Sequence, residues 1–447
     1  MKTRNTILLF LLAAGIFAFI HFYERHQPGT RDRRAAESVV LDFDRDNVDE
    51  VELINGDLKI VLRRKDNDWY LKEPVEDRVD PKVIGDLFSA AEMLSRDGVV
   101  LMPGKRDDAM MSRFKELGVA RAQARLKLRG KGLEEELLLG KETPVEGKIY
   151  IRRDQDNDVL VTSAEIKRLV TMKAADYRDR RMMDFSTDAV ERVAIKSAAG
   201  ELVAKRDGKD WELKKPIKAR GDNKTVDAFI KELAKVKIMD FGEDEEIGEI
   251  KGKLSLGIEG TNDKLVVEFG DLDASHPELV RARVSGRKGM CLIPSPVLQI
   301  LKIAPGDLRD RKLARIQEEI IDRIALEPSS GSKHAFVRSG DGWKTPEGGD
   351  VDVAKVQALL AVLENTEVTR FVADVDTDLA KYGLDQPVVR VILSSYASET
   401  TAESARGERP FCTVTLGATD AGEIYARVEE EPFIVAVPAG LEKELTW

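Results

Sequence analysis

A tryptophan, a nearby proline, an aspartate and an amphipathic helical stripe occur in that order three times in this chain, and this repetition limits the possible folds. The copies read WYLKEPVEDRVDPKVIGDLFSAAEML from Trp69, WELKKPIKARGDNKTVDAFIKELAKV from Trp211 and WKTPEGGDVDVAKVQALLAVL from Trp343. Trp211 follows Trp69 by 142 residues, and Trp343 follows Trp211 by 132. A chain of 447 residues divides into roughly three domains on the usual size prior. The expected division is an anchor and linker at 1–30 and repeats at 31–175, 176–306 and 307–447.

Each tryptophan is preceded by two alternating apolar–polar runs, such as VDEVELI and LKIVLRR before Trp69, the signal of half-buried antiparallel strands. Turns at Asn55-Gly56-Asp57, Ala199-Gly200 and Ser329-Ser330-Gly331 join the runs. Tryptophan opens a third strand, which Pro74, Pro216 or Pro346 ends, because proline cannot donate to a ladder. Asp80, Asp222 and Asp352 then stand where a helix N-cap is needed. The stripes Ile84, Leu87, Phe88, Ala91 and Leu94, then Val226, Phe229, Ile230, Leu233 and Val236, then Val356, Leu359, Leu360 and Leu363 put one apolar face on a sheet. Trp69, Trp211 and Trp343 read as core plugs beneath those helices; a ligand-stacking platform is the other reading.

A second half follows in each repeat. It opens at Leu117-Gly118, Leu256-Gly257 or Gly383-Leu384, continues in an apolar strand (ARLKL, DKLVVEFG, VVRVIL) and reaches Gly140, Gly270 or Gly417, where a turn with positive φ is expected. KIYIRR, LVRARV and EIYARV align Arg152, Arg283 and Arg427, and a short helix closes the half. The expected class is α+β: six small antiparallel sheets, each covered by a helix, strung into an elongated array behind one N-terminal transmembrane helix. That helix is the apolar run from Thr6 to Tyr23 behind Lys2 and Arg4. Its eighteen residues span about 27 Å, close to a bilayer's apolar core. A cleaved signal peptide is the alternative, although no small-x-small site follows cleanly. The short basic tail favours an extracytoplasmic body, and Arg25, Arg31, Arg33 and Arg34 pull the other way.

A charged tetrad precedes every repeat: Arg31-Asp32-Arg33-Arg34, Arg178-Asp179-Arg180-Arg181 and Arg309-Asp310-Arg311-Lys312. It reads as ionic contacts between neighbouring repeats, with a recognition surface as the alternative. The net charge of −10 argues against a general nucleic-acid binder, which needs a basic face. Cys291 and Cys412 occupy non-equivalent strands without an adjacent histidine, and no two of the four histidines have zinc-ligand spacing. The ladder Asp154–Asp158 has Val159 where a calcium loop needs glycine, and Asp374, Asp376 and Asp378 have Leu379. No phosphate loop or nucleophile elbow is present. The expectation is a protein that is not an enzyme and carries no cofactor.

With these elements assembled, the chain resembles domain-of-unknown-function family 4340 (DUF4340). The resemblance rests on the lead-in strands, the Trp-x-x-x-x-Pro and its helix, the Gly-Leu element, the strand reaching glycine and the Arg-Asp-Arg junction. The third copy departs from it, since the stretch from Trp343 to Pro346 is two residues shorter. The resemblance implies a bacterial inner-membrane, single-pass protein with a periplasmic body, an accessory scaffold of an ABC-transporter-like, gliding-motility-type complex. Its implied partners are a permease, an ATPase and an auxiliary subunit, and it carries over no catalytic residue. The alternative is an envelope ligand-binding module for glycan or lipid, carried by Arg152, Arg283 and Arg427 or by an exposed tryptophan. The junction residues Arg178, Asp179, Arg180, Arg309, Asp310 and Arg311 complete the candidate interaction set.

Overall fold

The computed structural model describes residues 40–100, 106–154, 156–242, 246–375, 378–396, 408–445 and 447. The expected membrane helix at Thr6–Tyr23, the first tetrad, Asp376 and residues 397–407 lie outside the described residues.

The two halves of each repeat merge into one large antiparallel sheet, which corrects the expected α+β string of six small sheets. In the first copy the strands are β1 (Val48–Asn55), β2 (Leu58–Lys65), β3 (Asp68–Glu73), β4 (Asp77–Arg78), β5 (Gly98–Val100), β6 (Ala124–Gly130), β7 (Leu133–Glu142), β8 (Lys148–Arg153) and β9 (Val159–Ser163). Their order is β4-β3-β2-β1-β6-β7-β8-β9-β5. The merger runs through β1, where Val51 faces Leu62 on one side and Leu128 on the other. The second copy repeats it, Val193 facing Ala204 and Leu256, and so does the third, Ile324 facing Phe336 and Leu393. Two separate half-sheets would each leave an edge of unpaired N–H and C=O groups, and pairing the opening strands of the halves removes both edges. The described residues are thus mostly antiparallel sheet, and helices serve as covers. None of the described helices is long and apolar enough to cross a membrane, and the expected span at Thr6–Tyr23 lies outside them.

The first half of each repeat follows the sequence closely. The helices Pro81–Glu92, Asn223–Lys235 and Val353–Asn365 begin behind Asp80, Asp222 and Asp352, whose carboxylates accept from the N–H of Lys82 (2.8 Å), Thr225 (2.7 Å) and Lys355 (3.3 Å). Ile84, Leu87, Phe88 and Ala91 are buried among Leu53, Leu62, Leu71 and Leu126. Trp211 and Trp343 are buried, and Trp69 is half-buried against the same core with its ring 5.5 Å from Phe88.

The second half needs two corrections. Gly140 and Gly417 lie inside strands without positive φ. A Cβ on Gly140 would stand 2.5 Å from the Leu117 carbonyl oxygen, and one on Gly417 would stand 2.2 Å from that of Tyr382. Close approach of another backbone therefore demands these glycines. Left-handed backbone falls instead on Gly118 (φ 79) and Gly383 (φ 67). In the second copy Leu256-Gly257 lies within the strand Gly252–Ile258, and the left-handed glycine is Gly248 (φ 76). GKLSL, rather than DKLVVEFG, is the counterpart of ARLKL, because it pairs with the opening strand as β6 does with β1.

The chain forms two compact units that do not follow the repeat boundaries. One comprises Met1–Met182, Lys237–Ile247 and Arg281–Pro294; the other comprises Met183–Val236, Gly248–Val280 and Ser295–Trp447.

Candidate functional site

The two described tetrads are straps. Each lies between the last edge strand of one repeat and the short strand that opens the second half of the next. In the first unit, Val79 bridges Arg178 and Arg181 bridges Lys237. The carbonyl of Tyr177 accepts from the Asp80 N–H at 2.8 Å, and that of Arg180 accepts from Ile238 at 2.7 Å. In the second unit, Gly221 bridges Arg309 and Lys312 bridges Glu367, while the Leu308 carbonyl accepts from the Asp222 N–H at 2.8 Å. A short extended segment thus closes two sheet edges at once.

Side chains lock each strap, and they do so differently. Asp77 is fully buried and accepts from Arg178 Nε at 2.6 Å and from Arg287 Nη1 at 3.0 Å. The Arg178 guanidinium stacks 3.7 Å from the centroid of Phe241 and donates to the Lys288 carbonyl at 3.0 Å. Arg287 donates to the Arg181 carbonyl at 2.7 Å. One carboxylate between two guanidiniums on an aromatic face satisfies charges that would otherwise be costly to bury. Burial alone would raise the Asp179 carboxyl, but the Arg181 guanidinium and N–H hold it below the usual carboxylate range. Burial lowers the Arg287 guanidinium, and Asp77 opposes that.

At the second strap Ala219 stands at the position of Asp77, since each pairs with the second residue after the third-strand tryptophan. The acid comes from the other side. Glu431, at the tip corresponding to Arg287, lies 2.5 Å from Arg220 Nε. Burial lifts the Glu431 carboxyl above its ordinary range despite Arg220. Arg309 stacks on Phe371 at 3.8 Å and Phe433 at 4.3 Å and donates to Asp374 at 2.7 Å. Asp310 accepts from Arg315 Nε at 2.7 Å. Between the two straps the buried carboxylate thus moves from the edge strand, at Asp77, to the tip, at Glu431.

The tetrad residues are therefore mostly spent inside the units: Arg178, Asp179 and Arg309 are buried, and Arg180 and Arg311 donate to the carbonyls of Met239 and Thr369. The expected arginine row does not form one surface. Arg152 is buried over the Phe114 ring at 4.8 Å and donates to the carbonyls of Asp154 at 2.7 Å and Asp156 at 3.0 Å. Arg283 is exposed, and Arg427 is half-buried. The acidic ladder from Asp154 is the β8–β9 turn that Arg152 and Arg106 hold. Cys291 and Cys412 are free and buried, and burial pushes their thiols up to about 11 and about 12. Among the described residues no group of three His, Cys, Asp or Glu side chains is placed to hold a metal. Asp77, Arg287, Glu431, Phe241 and Phe371 were missed from sequence. The two phenylalanines align between repeats, but the three charges match only once the pairing register is known.

The third repeat is open where the first two are strapped. A cleft of about 710 Å³ lies there, lined by His334, Phe336, Pro346, Asp350, Lys355 and Trp447 among others. The Trp447 ring lies 4.3 Å from Phe336, and Lys355 Nζ lies 4.5 Å from the Trp447 ring. Asp350 pairs with Lys344 as Arg78 pairs with Tyr70 and Arg220 with Glu212, so an acid replaces the edge arginine of the other copies. Among the described residues no backbone carbonyl accepts from the Asp352 N–H, and no bridge forms at Val351.

Comparison with known proteins gives one family. The family model described as "Domain of unknown function (DUF4340)" matches residues 69–253, 250–387 and 343–446. No curated protein matches. Among solved structures, DNA polymerase III subunit beta from Borrelia burgdorferi in complex with a natural product aligns over 91% of this chain and 94% of that chain at 9% identity. Its TM-score of 0.15 carries no argument about fold.

Proposed function

As a member of the family of unknown function DUF4340, to which the chain belongs across its three copies, this protein has no activity assigned by kinship, and we propose that it is a non-catalytic interaction scaffold. In this reading it is an extracytoplasmic accessory part of an ABC-transporter-like complex at the cell envelope, beside an ATPase, a permease and an auxiliary subunit. One observation carries the scaffold reading. The most charged repeated motif is spent on fixing one sheet to the next, with Arg178, Asp179 and Arg309 buried in the straps. A protein that holds partners at set positions needs such fixed joints, since each loose joint adds an entropic cost to assembly.

The test is light crosslinking in native cells followed by purification of the full chain and identification of what accompanies it. Recovery of an ATPase, a permease and an auxiliary subunit in fixed ratio is the expected result. Recovery of the chain alone from cells making all three would overturn the transporter assignment.

Burial of Trp211 and Trp343 and the packing of Trp69 on the core weigh against the stacking version of the ligand-binding alternative. What favours a binding role in a different place is the open cleft of the third repeat.

A further inference from the structure

We propose that the cleft of the third repeat is the docking site for an extended polypeptide segment of a partner protein, one with a large apolar residue two positions before a basic residue. This rests on reading the protein as an interaction scaffold and adds the partner's local chemistry. The first two repeats supply the template. There the same place beside the cap aspartate holds a strap entered by Tyr177 or Leu308, both buried. Each presents its carbonyl to the cap N–H at 2.8 Å, and the next residue bridges Val79 or Gly221. In the third repeat the Asp352 N–H and the Val351 edge lack these partners among the described residues, and about 710 Å³ stands open beside them. A free N–H on a free sheet edge is met by another backbone, and an apolar floor at Phe336 and Trp447 by a large side chain.

Charge decides which backbone fits. Arg78 faces Asp179 of its strap at 3.6 Å, and Arg220 faces Asp310 at 3.4 Å. Asp350 holds that position in the third repeat, with Glu347 beside it on the turn and the bases Arg323, Lys333 and Lys355 elsewhere in the cleft's lining. A strap of this chain's own type would set its aspartate against Asp350, whereas a basic residue there would pair with it. The position facing Asp350 therefore takes a basic residue rather than the aspartate of this chain's own straps.

Binding of two labelled peptides to the full chain tests this, by fluorescence anisotropy at low salt. One is residues 174–181 of this protein, AADYRDRR, and the other is the same peptide with Asp179→Lys. The lysine peptide is expected to bind saturably and to lose about tenfold in affinity on Asp350→Arg, while the aspartate peptide gains by a similar factor. Asp350 is exposed, so the substitution leaves the fold intact, which circular dichroism checks. Absence of saturable binding by the lysine peptide, or affinities unmoved by Asp350→Arg, overturns the site. Tighter binding of the aspartate peptide to the unaltered chain overturns the partner's chemistry and assigns the cleft to a second copy of this chain. Failure of the transporter assignment is read separately, from the crosslinked complex.

Discussion

A single carboxylate decides how the first strap closes. Asp77 bridges two guanidiniums in a place without solvent, so removing it leaves Arg178 and Arg287 without the carboxylate between them. Asp77→Ala is expected to cost about 3–5 kcal/mol, the usual penalty for breaking a buried pair, measured by urea unfolding of the full chain. The second strap indicates a repair. It has Ala219 and Glu431 where the first has Asp77 and Arg287, so Asp77→Ala combined with Arg287→Glu recreates that arrangement and should return most of the loss. A double variant no more stable than Asp77→Ala would show that the two straps do not share one electrostatic plan.

The sheet edge is the element that organises each repeat. Opening strands pair on both sides, the tryptophan strand carries a two-residue edge strand in the first two copies, and the strap then closes that edge. The joint between a left-handed Leu-Gly turn and the following strand is equally tight, since Gly118 and Gly140 bring two backbones together. Gly140→Ala should cost about 1–3 kcal/mol through forced backbone movement, whereas Gly85→Ala, with open space around it, should be neutral or mildly stabilising by helix propensity. Equal melting temperatures for the two variants would refute the close-approach reading.

For the whole molecule, the compact units are out of step with the sequence repeats. Lys237–Ile247 and Arg281–Pro294 belong to the second repeat by sequence and to the first unit by packing. They bring Arg287 to Asp77 and Phe241 to Arg178. Hydrogen exchange on the full chain checks this. Asp77→Ala should speed exchange at 178–181, 237–241 and 287–291 together and leave the helix Val353–Asn365 at its original rate. Faster exchange confined to 77–80 would mean that the strap does not tie these segments.

The sequence by itself determined the number of repeats, the strand–strand–Trp–cap–helix order and the cap aspartates. Those follow from local periodicity, from proline's missing donor and from the backbone groups at a helix start, which neighbouring residues reveal. It also placed the tetrads at the joints and favoured their ionic role. Tertiary structure decided the rest. That the two halves share one sheet depends on pairing between β1 and β6, far apart in the chain, and both half-sheet and whole-sheet arrangements satisfy the same alternation. That Arg152 is buried while Arg283 is exposed depends on Phe114 and the β8–β9 turn, which alignment of the arginines hides. That an acid moves from Asp77 to Glu431 between straps, and that Asp350 stands at the edge-arginine position, follows from strand register, and register is fixed by long-range pairing rather than by any local pattern.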